Sequence, residues 1–167
     1  MTATESLVCD TNVALVANGD APQASEPCKL ECIRQLEQIM RDGRLVLDSV
    51  GLILNQYLAQ RPFGWPRGIG DWFFIWAVTH QADPHFCSIV DVTPTDKPRR
   101  FVEFPEDEEL TGFDPDDRIF VAVAIASGTR PPVLNAADTD WWEHRAALSR
   151  HGVEVRFLCP ELMTREG

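Results

Sequence analysis

Short, continuously apolar runs alternate along this chain with longer amphipathic stretches, and the switches between them mark its elements. The run at residues 7–9, LVC, stops at Asp10 and predicts a first strand with an acid at its end. Residues 20–27 are polar; Ser25 followed by Pro27 predicts a helix start, and Leu30, Ile33, Leu36 and Met40 carry that helix at 3.6-residue spacing until Gly43. Residues 45–47 read as a second strand, again ending in an acid, Asp48. A helix over 50–60 is then stopped at Arg61 by Pro62.

Residues 62–70 are a loop by their proline and glycine content. DWFFIWAVTH, from Asp71, is apolar nearly all round and reads as a buried helix or a dense aromatic surface, and FCSIVDV at 86–92 as a third strand. The chain then turns polar, TDKPRR basic and EFPEDEEL acidic, with a short edge strand expected at 101–104. FDPDDRIFVAVAIAS predicts a helix capped by Asp114 with Pro115 in its first turn. PPVLNA follows as a strand, DTDWWEHRAALSRHG as a helix and VEVRFLC as a last strand. Continuously apolar strands alternating with helices imply an α/β fold whose parallel sheet is covered on both faces.

At 167 residues the chain is read as one domain, with an excursion at 61–112. No apolar run approaches the roughly 20 residues of a membrane span, and no secretory leader pattern opens the sequence, so a cytoplasmic protein with no membrane partner is expected. Five scattered cysteines argue against a disulfide framework. Cys28 and Cys32 lie one helical turn apart without two further zinc ligands nearby, and are expected to be packing thiols, while Cys9 and Cys159 fall inside expected strands. The net charge of −11 excludes a broad basic face for coating nucleic acid. It leaves room for an enzyme on phosphates whose positive charge is bound metal.

The acids have a pattern. Asp10 and Asp48 end strands, and Asp117 and Asp138 fall in first turns of helices, positions that meet along one edge of an open parallel sheet. Crowded carboxylates repel unless a cation sits among them, and oxygen ligands select Mg2+ or Mn2+. Asp114, Asp116, Asp117, Asp138 and Asp140 have an alternative purpose as caps and dipole partners. Asp10, placed where strands disfavour Asp and with no capping role in view, carries the most weight. Thr11 and Asn12 are expected to hold it by hydrogen bonds.

Taken in order, VCDTNV, DPDDRIFVAVA and LNAADTDWW resemble the PIN domain family of metal-dependent nucleases, over most of the chain. The resemblance implies a three-layer α/β/α sandwich around a parallel sheet and an endoribonuclease that hydrolyses RNA phosphodiesters with Mg2+ or Mn2+, leaving 5′ phosphate and 3′ hydroxyl ends. It makes Asp10, Asp117 and Asp138 the catalytic, metal-binding acids, with Asp140 as a helper. The family's Glu on the helix after the second strand is replaced here, in SVGLILNQYLAQ, by Asn55 or Gln56, with Asp48 positioned to compensate; Asn135 stands for a hydroxyl residue. A toxin with a cognate inhibitor protein (antitoxin) elaborates this reading, and a homodimer is a common arrangement. Arg61, Arg67, Lys97, Arg99 and Arg100 are phosphate-contact candidates. Trp65, Trp72, Phe73 and Trp76 suit base stacking or, more commonly, core packing, and Trp141 and Trp142 suit packing of the last helix. Four histidines share no ligand spacing. Two rivals remain: a PIN-like module that has lost catalysis and binds RNA or protein, and a haloacid-dehalogenase-type phosphotransferase, whose second Asp is here Asn12.

Overall fold

The computed structural model describes residues 5–60 and 66–163. Five strands, β1 (Ser6–Cys9), β2 (Arg44–Asp48), β3 (Cys87–Val90), β4 (Val133–Asn135) and β5 (Val155–Phe157), form one sheet in the order β3-β2-β1-β4-β5. Every pairing is parallel. The described helices are α1 (Thr11–Ala17), α2 (Glu26–Arg41), α3 (Leu52–Ala59), α4 (Ile69–His80), α5 (Arg118–Ala126), α6 (Thr139–Glu143) and α7 (Arg145–Arg150). The protein is therefore a mixed α/β fold around an all-parallel sheet. Among the described residues no helix is long and apolar enough to cross a membrane.

The strand order has one functional consequence. From β1 the chain steps outward through β2 to β3, then returns to the other side of β1 for β4 and β5. The reversal lies between β1 and β4, where the crossovers diverge and a crevice opens at the carboxyl ends of the strands. Asp10 follows β1 and Asn135 ends β4, and Asp10 N–H bonds Leu134 C=O at 3.0 Å.

Ser25 caps α2 as expected, its hydroxyl accepting from Cys28 N–H at 3.2 Å. Asp114 opens a single 3-10 turn, Pro115–Asp117, which runs into α5. Several expectations need correction. Thr11 begins a helix that the sequence reading left unassigned, and Asp10 is its N-cap. The edge strand expected at 101–104 is one antiparallel bridge, Pro94 to Phe101. The expected last helix breaks at His144, whose ring nitrogen competes for Asp140 C=O at 2.7 Å, giving α6 and α7. Gly70, expected in a loop, lies in α4 because its backbone packs on α1; a Cβ there would come within 2.0 Å of Ala14 C=O.

The cysteine expectation fails most clearly. Cys28 at the start of α2 and Cys159 beyond β5 form a disulfide across 131 residues, with Cα atoms 5.4 Å apart. Spacing in sequence could not reveal it, since the pairing arises where the last segment returns against α2. Cys9, Cys32 and Cys87 are free and buried. In the chain-entropy picture a loop this long stabilises the fold by about 5 kcal/mol. Alkylation in denaturant should label three of the five cysteines before reduction and all five after it, and reductant should lower the unfolding midpoint of the wild type but not of Cys28→Ser. Labelling of all five without reductant would refute the bond.

Candidate active site

Asp10 is 3% exposed and Asn135 fully buried, side by side at the β1/β4 switch point. Asn135 joins two of the acids: its Nδ2 donates to Asp10 Oδ2 at 3.3 Å, and its Oδ1 accepts from Asp138 N–H at 2.9 Å. Asp138 caps α6 by accepting from Asp140 N–H at 2.9 Å. Asp117 arrives from the opposite direction. The helix it precedes, α5, feeds the start of β4 and so must begin at the carboxyl edge of the sheet. Buried Trp141 donates its indole N–H to Asp117 Oδ2 at 3.2 Å, tying α6 to that helix start.

Burial first, then the charges of Asp117 and Asp138, push the Asp10 carboxyl well above the ordinary range. Burial, then Asp114 and Asp138, lift Asp117 to about 7. Burial also raises Asp138, against hydrogen bonds from the Asp140 and Trp141 backbone. Asp10 and Asp117 thus both feel Asp138, and Asp10 feels Asp117, although Asp10 lies more than a hundred residues from either in sequence.

The ligand atoms are not drawn tightly together. Among the described residues, the group of Asp, Glu, His or Cys whose ligand atoms all fall within 4.8 Å is Cys28, Cys32 and Cys159, two of which share the disulfide. The acids form a wider, repelling set.

The remaining candidates divide. Asn12 holds the switch point through Ala136 N–H, which donates to its Oδ1 at 3.1 Å, while its own N–H reaches Asp10 Oδ2 at 3.4 Å. That last contact gives Asp10 the capping role the sequence reading denied it. Thr11 Oγ1 is buried with no hydrogen-bond partner. Asp140 accepts from Asp114 N–H at 2.9 Å and lies 3.3 Å from His144. Asp48 ends β2, the strand beside β1, and its two oxygens accept from Leu52 and Ile53 N–H at 2.8 and 2.9 Å. It takes over the cap of α3 because Gly51, at φ 90°, has no side chain to do so. Gln56 donates to Asp116 C=O at 2.5 Å, and Asn55 is exposed.

Of the basic candidates, Arg61 lies outside the described residues, as does Trp65. Arg67 is clamped by Asp71 and Asp20 at 3.1 and 3.2 Å. Asp71 is 1% exposed; burial pushes its carboxyl up, but hydrogen bonds from Arg67 and Asn18 hold it below the usual range. Arg99 pairs with Asp116 at 2.9 Å, while Lys97 and Arg100 make no ion pair among the described residues. Phe73 is buried, Trp76 stacks on Phe73 and His80, and Trp72 is half exposed. Sequence reading missed Asp114, seen only as a cap, and Arg118, a buried cation directly after Asp117. Compared with protein-family models, curated proteins and solved structures, the chain matches none.

Because Asp117 titrates higher folded than unfolded, the native state binds the extra proton between about pH 4 and 7. Its contribution is therefore lost as pH rises through 7. In chelator, lowering pH from 8 to 6 should raise the unfolding midpoint, and Asp117→Asn should flatten that rise; an unchanged slope in the variant would show that Asp117 is not the strained acid.

Proposed function

We propose that the protein is a divalent-metal-dependent endoribonuclease with a PIN-like, three-layer α/β/α architecture. One observation carries the reading: three carboxylates from separate segments are half to fully buried together at the sheet's switch point, where Asp117 and Asp138 raise the pKa of Asp10 and Asp138 that of Asp117. Such a set is unfavourable alone and becomes favourable around a cation.

The donor set fits a hard ion. Asp10, Asp117 and Asp138 offer carboxylate oxygens, and Thr11, the residue after Asp10, has a buried hydroxyl with no hydrogen-bond partner, which a metal-bound water would supply. Bound there, Mg2+ or Mn2+ would provide a water of lowered pKa and polarise a scissile phosphate. The protein's part is positioning. Asn135 fixes Asp10 relative to Asp138, Trp141 fixes one oxygen of Asp117, and the α1 start holds Asp10 against rotation. An RNA substrate in the cytoplasm, an inhibitor protein and a homodimer belong to the same proposal through the family resemblance.

A second reading has its own support. Gln56 is turned to a backbone carbonyl and Asp48 is committed to α3, so neither supplies the carboxylate of the missing Glu. On that basis the chain is a PIN-like module that binds RNA or protein without cleaving.

End-labelled single-stranded RNA with Mn2+ separates the two. Cleavage should require Mn2+, vanish in EDTA, fall more than about 100-fold in Asp10→Asn and about 10–100-fold in Asn135→Ala, the range for a group that orients a ligand. Absence of cleavage, with Mn2+ still raising the melting temperature of the wild type alone, would favour the binding module.

A further inference from the structure

Arg118 is, among the described residues, a buried cation without an ion-pair partner. It is 9% exposed, its Nε is buried without a hydrogen-bond partner, and Nη1 reaches only Arg99 C=O at the 3.5 Å limit. In a chain with 26 acidic residues, none forms an ion pair with it among the described residues. Burial opposes its charge first, Arg100 and Arg99 next, and only the Asp114 charge acts in its favour. A buried guanidinium left unpaired is expensive, and the ring of Phe104, 5.6 Å from Cζ, offsets only part of that.

The cation opens on space. Arg118 and Arg100 line one cavity of about 590 Å³, with Thr95, Phe101 and Phe104. Acids are present on its wall and do not neutralise the pair. Asp107 is taken by Arg150 and His151 at 3.2 and 2.9 Å, and Glu106 and Glu108 are exposed and bridge to neither arginine. The cavity wall thus carries two guanidinium groups without a carboxylate in ion-pair contact, a type of group whose geometry matches the oxygens of a phosphate.

Its position supplies the occupant. A second cavity of about 560 Å³ shares Thr95, Arg100 and Phe101 with the first, and is lined by Lys97, Arg99, Gln56 and Asp116. Asp116 adjoins Asp117. Continuous space along the 94–101 hairpin thus joins Asp116, the residue before Asp117, to Arg118, with Lys97 and Arg100, which form no ion pair among the described residues, on the way.

We propose that Arg100 and Arg118 form a phosphodiester subsite that holds the backbone of the single-stranded substrate beyond the acid cluster. The proposal rests on the ribonuclease reading for the identity of the strand, whereas the anion chemistry stands on the arginines alone. Arg118, which has no carboxylate in ion-pair contact in the free protein, gains its anion from the phosphates of the bound strand, while Arg99 is already paired with Asp116.

Binding of a fluorescently labelled six-nucleotide single-stranded RNA, measured by anisotropy in EDTA at 50 mM salt, tests this without cleavage. Arg100→Ala, at an exposed position, should weaken binding at least fivefold and reduce the salt slope by about 1, the loss of one phosphate contact. Arg118→Gln should do the same, with Arg118→Lys intermediate because it keeps charge without the fork. Excess inorganic phosphate and 5′-AMP should compete only weakly; if either displaces the RNA at micromolar concentration, the subsite is for a free phosphate or nucleotide and the strand assignment is overturned. Unchanged affinity and salt slope in Arg100→Ala overturn the proposal even if Arg118→Gln fails to fold. The two readings separate cleanly. RNA held through these arginines but never cut with Mn2+ removes the ribonuclease and keeps the subsite, while Mn2+-dependent cleavage with the affinity unchanged in Arg100→Ala does the reverse.

Discussion

Repulsion among buried carboxylates is the constraint around which the rest of this molecule is arranged. Asp10 is held at the end of the central strand, where solvent cannot screen it, and Asp117 and Asp138 are brought close enough to raise or share that strain. The fold accepts this because the strand order forces a crevice between β1 and β4, and because Asn135 and Trp141 lock the acids in place from beneath. A core organised for stability alone would place apolar side chains at these positions, since a buried charge without a partner is among the few features that cost several kcal/mol.

Around that centre the chain separates its charges. The acids of the 105–109 segment and α7 bind one another, Arg150 bridging Asp107 and Glu109, and Arg67 is consumed by Asp71 and Asp20. Among the described residues Lys29, Arg44, Lys97, Arg100, Arg118, Arg130 and Arg145 form no ion pair, and three of these, Lys97, Arg100 and Arg118, line the two cavities along one hairpin. An overall charge of −11 thus coexists with a local basic track. Net charge describes the long-range field, while contact with a phosphate depends on which guanidinium groups have been left without carboxylates.

Much of the architecture was legible in the chain. Apolar strands such as RLVLD and VLN admit no solvent face, which requires helices on the sheet, and the Ser25 and Asp114 caps lie where the sequence put them. The convergence of Asp10, Asp117 and Asp138 followed from one topological rule about strand ends. What escaped depended on contacts distant in sequence or on competition for one group. Thr11–Ala17 is too short for helical periodicity to register beside a strand. Asp48, read as a second acid of the site, also serves as the cap of α3, because Gly51 has no side chain to do so. The Cys28–Cys159 bond needs the last segment to return to α2, and no spacing encodes that. The burial of Arg118, at the start of an otherwise apolar helix, depends on the packing of the 99–104 segment against it, which its own neighbours in sequence do not encode.

The central claim is that the acid cluster exists to hold a divalent cation. Calorimetric titration of Mn2+ into the chelator-stripped protein near pH 7, in two buffers of different ionisation enthalpy, tests it most directly. One ion should bind per chain with net release of protons, since carboxyls raised toward neutrality must give theirs up to coordinate, and Asp10→Asn should remove both the binding and the release. Binding that persists in Asp10→Asn, or no binding to a wild type that is folded and stable, would contradict it.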